Sequence, residues 1–242
     1  MFSEFYHKGF QVFPDILSLS EVERYGNKIE EVYEKQLSEF GDDSLGLIGE
    51  RNMARALFLY DSSFYNIFYN EFTLSIIRQI LGDYAILSLQ NGIIVRPNQN
   101  HHQSFYHRDI IYQEFVSSRP LSINLFYCLG EFNQDSGGTI FVPESHKTEK
   151  LGDEVGITPE CSPGSVILFD SMVFHKAGIN TTKNTRYGIN NMYTLPFIKQ
   201  QINYPNFLNE KPDDRVLSRM LGFESKEFLS VRDFRNYRMS RK

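Results

Sequence analysis

Tyr84-Ala85-Ile86-Leu87-Ser88-Leu89-Gln90-Asn91-Gly92-Ile93-Ile94-Val95 is the stretch on which the fold turns. Before it, apolar residues recur at helical spacing, with Leu74, Ile77, Ile80 and Leu81 on one side and Gly82 at a C-cap position. After Gly82 the period changes. The run from 84 to 95 reads as a strand, and Arg96-Pro97 closes it because proline cannot donate to a ladder. Leu121–Leu129 is a second strong strand. Thr139–Val142 is a short one cut by Pro143, and Ser165–Phe169 follows the turn Pro163-Gly164. Phe105–Ile111, Phe174-His175 and Arg186–Leu195 complete about seven short strands between 84 and 195, separated by turn residues such as Asn133–Gly138 and Gly178–Asn184. Short strands at such spacing predict a sandwich or jelly roll.

Helices flank this core. Phe10–Phe13 alternates like a strand and Pro14 ends it. Ser20 and Glu23 stand at capping-box spacing, and Val22, Tyr25, Ile29, Val32, Tyr33 and Phe40 predict a helix over roughly 20–39. Residues 44–60 read as loop with a short strand or a turn of helix, and 62–81 as helix in two pieces. Helical pattern returns around 213–221 and 225–237. The chain is expected to form one domain over 1–242, mainly β with flanking helices: a helical part at about 18–82, a β-core at about 84–196 and a helical end at about 205–240.

Composition narrows the class. The 242 residues, 41% apolar and 23% charged, suit a globular protein, and the 14 Tyr and 21 Phe suit a β-rich core. A net charge of −5 argues against a nucleic-acid partner. Cys128 and Cys161 make no disulfide framework and read as small buried hydrophobes in a reducing compartment. No apolar run reaches membrane-spanning length. The start, Met1–Phe5, lacks a charged region followed by an apolar one, so no signal peptide is expected. A cytoplasmic protein without a membrane span is the expectation.

The chemistry concentrates in Tyr106-His107-Arg108-Asp109. A His and an Asp two apart on an extended strand point to the same face. Alone the pair is weak. His175, at the end of another strand, can converge on it, and two imidazoles with one carboxylate form the facial set of non-haem Fe(II) oxygenases. Arg186 follows His175 across a turn at the start of the next strand and can fold back beside it. A buried arginine there needs a partner. The far carboxylate of a metal-chelating 2-oxo acid would be one, matched by the guanidinium fork.

In combination these segments resemble the phytanoyl-CoA dioxygenase family of Fe(II)/2-oxoglutarate oxygenases, from about Phe5 to Phe223. The likeness rests on His107-Arg108-Asp109, on Asn133–Gly138 followed by Phe141-Val142-Pro143-Glu144-Ser145-His146-Lys147, on Pro163–Asp170, on His175–Asn180 and on Arg186, with Gly9-Phe10-Gln11-Val12 opening the match. The resemblance implies a double-stranded β-helix, the cupin-like jelly roll. It implies Fe(II) held by His107, Asp109 and His175, with 2-oxoglutarate and O2 as co-substrates and Arg186 on the C5 carboxylate. It further suggests Gln90 and Asn124 as 2-oxoglutarate contacts. The expected reaction is oxidation, most simply hydroxylation, of a C–H bond of a small molecule, with release of succinate and CO2. Asp109 favours that over halogenation, because related halogenases carry a small residue there. Tyr106 stands where the family often has Trp, and Glu144 where it often has Gly.

Other residues have plainer readings. Tyr106, His102 and Asn190 are candidates for the substrate pocket, Asn190 because it lies four residues after Arg186 on the same strand face. His101 reads as a rim residue, His7 as surface and His146 as structural. Asp170 is either a turn cap or a hydrogen-bond partner of a ligand histidine. The 98–106 loop and residues 44–60 are expected to shape the pocket. A different metal enzyme on the same ligands, a hydrolase or isomerase with zinc or manganese, is one rival reading. A non-catalytic jelly roll that binds a ligand is the other.

Overall fold

A computed structural model describes residues 2–99, 103–110, 115–208, 210–225 and 227–240. A short helix α1 (Ser3–Lys8) leads into strand β1 (Phe10–Phe13). The long helix α2 (Leu19–Phe40) follows, then α3 (Asp42–Leu47), β2 (Met53–Arg55), α4 (Leu57–Tyr60), α5 (Tyr65–Phe68) and α6 (Glu71–Ile80). The β-core comprises β3 (Ile86–Val95), β4 (Ser122–Cys128), β5 (Ile140–Phe141), β6 (Val166–Asp170), β7 (His175–Lys176) and β8 (Arg186–Thr194). Helices α7 (Tyr204–Phe207), α8 (Arg215–Met220) and α9 (Val231–Met239) come last.

Six strands form an antiparallel sheet in the order β1-β6-β4-β8-β3-β2, and β5 pairs with β7 in a second, smaller sheet. Isolated bridges His107↔His175, Phe141↔Ile157, Ser136↔Asn180 and Phe132↔Cys161 extend the smaller sheet. The two sheets make the jelly roll. Residues 105–110, expected as a strand, contribute one such bridge at His107 rather than a continuous ladder.

Strand alternation divides the large sheet into two faces. Ile123, Leu125, Tyr127, Val166, Leu168, Ile189 and Tyr193 point to the helices and join Tyr25, Ile29, Val32, Phe64 and Phe68 in the main core. Phe10, Phe126, Cys128, Ile167 and Phe169 point the other way and join Phe132, Phe141, Cys161 and Val173 in a second core between the sheets. Both cysteines are therefore buried and unpaired, as their apolar surroundings predict. The helical layer comes close to the sheet at Gly92, where a Cβ would lie 2.9 Å from Ile29 Cγ2.

Helix α2 is capped by Ser18, not Ser20. Ser18 accepts from Glu21 N and the Glu21 carboxylate takes Ser18 N at 2.9 Å, a capping box two residues before the expected one. At the far end of the same helix, Gln36 closes the free edge of β2. Its amide donates to Arg55 O at 2.6 Å and accepts from Arg55 N at 2.8 Å, so one side chain acts as a seventh strand. The last helix starts at Val231, later than the periodicity suggests, and buries none of its residues. Among the described residues, no helix is long and apolar enough to cross a membrane.

Candidate metal centre

The backbone brings the three candidate ligands together. His107 N donates to His175 O at 2.9 Å and His175 N to His107 O at 3.0 Å, a reciprocal antiparallel pair. Asp109 N then donates to Ser171 O at 2.9 Å. His107, Asp109 and His175 consequently each offer a ligand atom within 4.8 Å of the others. His175 Nε2 lies 3.5 Å and His107 Nε2 3.8 Å from Asp109 Oδ1.

Each imidazole is oriented by its own chain. His107 Nδ1 meets Phe105 O at 2.9 Å, and His175 Nδ1 meets Val173 O at 2.9 Å. A carbonyl only accepts, so each ring carries a proton on Nδ1, which leaves Nε2 as the atom that would bind a metal. His107 Nε2 and Asp109 Oδ2 are buried with no hydrogen-bond partner. Burial, with help from the His175 charge, holds His107 below the ordinary histidine range. Burial would raise the Asp109 carboxyl, but His175 and then His107 outweigh it and hold it low. For His175 burial pulls down and Asp109 pulls up, and Asp109 prevails. A carboxylate so placed attracts a cation, and with both Nε2 atoms free of a proton the set could hold a divalent metal.

Arg186 lines the same cavity, together with Ile93, Val95, Phe126 and Phe169. Its guanidinium donates from Nε to Ser136 O at 3.2 Å and from Nη2 to Gly137 O at 2.8 Å. Phe132 flanks it with its ring centroid at 4.8 Å. Nη1 is buried without a partner. Burial lowers this arginine from its ordinary range to about 10, and no described carboxylate restores it. Asn180 ties down the return loop, donating to Val95 O and Asn184 O at 2.8 Å each, which aligns the start of β8 with the end of β3.

The remaining candidates separate. Asn124 is on the same side of the sheet as this cluster, opposite Phe169 of β6, and its side chain helps hold the Asp109 carboxyl low. Its Nδ2 donates to Ser171 Oγ at 2.8 Å, and Oδ1 has no partner. Asn190 lines the cavity with an unpartnered Oδ1. Gln90 is a correction. It points to the helical layer, where Oε1 accepts from Phe58 N at 3.0 Å and Nε2 donates to Phe64 O at 3.2 Å. The reason is parity: Val95 pairs with Arg186 and Asn91 with Asn190, so beyond the bulge between Leu87 and Leu89 the odd-numbered residues of β3 face the His107, Asp109 and His175 cluster and Gln90 cannot. Tyr106 also turns away. Its ring lies under Lys176 Nζ at 4.3 Å, and its hydroxyl lies where a Cβ on Gly156 would need room. His101 and His102 lie outside the described residues. Asp170 is the turn cap, accepting from Met172 N at 2.8 Å. His146 is structural, with Nδ1 packed against Gly9.

Sequence reasoning did not find the Ser136 and Gly137 carbonyls or Asn91. Carbonyls carry no residue signature, although the Asn133–Gly138 turn marked the place. Asn91 could have been found by counting back from Val95 in steps of two.

A profile of the phytanoyl-CoA dioxygenase family matches residues 5–188. The chain belongs to that family. An uncharacterized protein of Mycobacterium tuberculosis is 31% identical over 212 residues, covering 84% of this chain and 77% of the relative. A dioxygenase of Talaromyces verruculosus, cdmA, is 32% identical over 128 residues, 46% of this chain and 40% of its own. A dioxygenase of Aspergillus fumigatus, af480, is 25% identical over 191 residues, 73% of this chain and 60% of its own. Among solved structures, a non-heme monooxygenase, ThoJ in its apo form, superposes with a TM-score of 0.64 at 17% identity, covering 83% of this family member and 79% of that chain. That likeness supports the jelly-roll fold. Membership supports an oxygenase, and the His-Asp-His set is a site that could bind its metal.

Proposed function

We propose that the protein is a non-haem Fe(II)- and 2-oxoglutarate-dependent dioxygenase that hydroxylates a C–H bond of a small-molecule substrate. One observation carries the reading: a buried guanidinium with an unpartnered Nη1 shares a cavity with an orphaned His107 Nε2 and Asp109 Oδ2. A metal answers the second pair. A carboxylate answers the first, and 2-oxoglutarate carries a metal-chelating end and a distal carboxylate on one small skeleton. The donor set of two nitrogens and one carboxylate fits Fe(II) and leaves one side of the metal open.

His107, Asp109 and His175 would hold the iron, which supplies O2 activation coupled to oxidative decarboxylation of 2-oxoglutarate when bound. The residues do the rest. Arg186 binds and orients the co-substrate through its charge. Phe126 and Phe132 keep water from that ion pair, which strengthens it. Asn124, held by Ser171 and with Oδ1 unpartnered, is the proposed second polar contact for 2-oxoglutarate. Asp109 occupies the position that halogenation would need for a halide, so hydroxylation is favoured. The buried, unpaired thiols fit a reducing compartment, and the cytoplasm is the proposed location.

Anaerobic addition of Fe(II) and 2-oxoglutarate tests the reading. A visible charge-transfer band is expected, lost in His175→Ala and weakened in Arg186→Met. A hydrolase or isomerase using zinc or manganese has no use for the buried arginine and would give no band. A ligand-binding protein without turnover would give the band but no succinate in air with any substrate offered.

A further inference from the structure

A second cavity, of about 600 Å³, opens where the large sheet ends at β2. Phe40, Ile48, Phe58, Leu59, Phe207 and Leu208 wall it, brought there from the ends of α2 and α3, from α4 and from α7. Phe40, Ile48 and Phe207 are 59%, 63% and 64% exposed, so two large apolar side chains from the adjoining ends of α2 and α3 converge with a third from distant α7. Scattered exposed hydrophobes are ordinary, but a concave cluster with few polar groups is the form of a ligand site.

Its charged groups are Arg55 and Glu50, and Arg55 leads back toward the His107, Asp109 and His175 cluster. Arg55 donates to Glu50 Oε1 from Nε at 3.1 Å and from Nη2 at 2.6 Å. The Asn91 carboxamide, oriented to satisfy its neighbours, accepts from Arg55 Nη1 at 2.8 Å and donates to Gln90 O at 3.1 Å. Arg55 pairs with Asn91 across β2 and β3, and Asn91 with Asn190 across β3 and β8. The three side chains share the metal-facing side and cross it in two strand spacings, roughly 10 Å. Asn190, at the end of the row, lines the metal cavity with its Oδ1 unpartnered.

We propose that this edge cavity seats an uncharged, apolar small molecule of the substrate's class, held apart from the cavity beside His107, Asp109 and His175 by the hydrogen-bonded Arg55–Asn91 row and coupled to it through that row. The charge class follows from Arg55. It is the one cation lining the cavity among the described residues, and Glu50 and Asn91 engage it. The phosphates of a coenzyme A thioester would meet no free cation there, whereas a neutral apolar molecule needs none. The word substrate rests on the oxygenase reading; the cavity's preference for an uncharged apolar ligand does not.

N-phenyl-1-naphthylamine, uncharged and apolar with one N–H, is a fluorescent probe of this chemistry. Titrated into the full chain, it should bind at one saturable site. Ile48→Arg and Phe207→Arg, both at exposed wall positions, should each weaken binding at least tenfold with unchanged circular dichroism. Leu47→Arg adds the same charge one residue away, at a side chain 89% exposed and outside the cavity wall, and should bind as the parent does. In the anaerobic Fe(II)–2-oxoglutarate protein, probe binding should perturb the charge-transfer band, and free coenzyme A should not displace the probe. No saturable binding, or equal affinity in both wall variants, overturns the site. Binding without a change in the band overturns its connection to the metal, and displacement by coenzyme A overturns the ligand class. Absence of the band itself, with the probe bound, counts against the oxygenase reading alone.

Discussion

Arg186→Met separates the two tasks an arginine can have in a protein interior. Methionine keeps the length and removes the charge. Burial lowers the guanidinium from its ordinary range to about 10, which at about 1.4 kcal/mol per pH unit is about 3 kcal/mol against the charged form. The variant recovers that and loses two hydrogen bonds, to Ser136 O and Gly137 O. At roughly 1.5 kcal/mol or more each they come to about 3 kcal/mol, so the stability of the protein without co-substrate should move by no more than about 1–2 kcal/mol. Binding behaves differently. Removing one partner of a buried carboxylate–guanidinium pair costs about 2–5 kcal/mol, and the middle of that range is a rise of about 10²- to 10³-fold in the dissociation constant of 2-oxoglutarate. Calorimetric titration of 2-oxoglutarate into anaerobic Fe(II)-protein gives the affinity, and thermal melts with and without 2-oxoglutarate give the linkage. At 100 times its dissociation constant the co-substrate should stabilise the parent by about 2.7 kcal/mol and the variant by almost nothing. A variant that binds 2-oxoglutarate within threefold of the parent, yet melts more than about 10 °C lower, would make Arg186 a structural residue and refute the reasoning.

The surroundings offer three further tests. Burial pushes the Asp170 carboxyl up from 3.8 to about 6; a raised acid holds its proton more tightly in the folded state, so stability falls as pH rises from about 4 to about 6 and the penalty, about 3 kcal/mol, is complete above that. Asp170→Asn keeps an acceptor for Met172 N and should therefore be more stable by about 2–3 kcal/mol at pH 7.5 and no more stable at pH 4, as denaturant unfolding would measure; an advantage that grows on acidification would contradict it. Gly137 has a φ of 73° and a Cβ there would lie 2.8 Å from Asn180 N; Gly137→Ala should destabilise by about 2–3 kcal/mol and, by displacing the carbonyl that holds Arg186, weaken 2-oxoglutarate about tenfold in the same titration. Gln36→Ala leaves both backbone groups of Arg55 unpaired at the sheet edge and should lower stability by about 2 kcal/mol in thermal melts, whereas loss of less than half that would show that water replaces the amide.

Much of this molecule is legible one residue type at a time. The change of period after Gly82, the turn residues between strands, the His-x-Asp pair, His175 and Arg186 are local or chemical facts: backbone propensity and ligand chemistry are properties of the residues themselves. Tertiary structure decided what depends on register between distant strands. Gln90 and Asn91 are adjacent amides on one strand, and only the pairing of Val95 with Arg186, 91 residues apart, sends Asn91 to the side of His107, Asp109 and His175 and Gln90 into the helical layer. Arg186 is held by two carbonyls, which every residue possesses and no residue advertises. The edge cavity draws its walls from α2, α3, α4 and α7, and its apolar character exists only once those segments meet. The chain's spelling thus determined which groups could hold a metal and a co-substrate. Strand parity and the meeting of distant segments determined which of them face it.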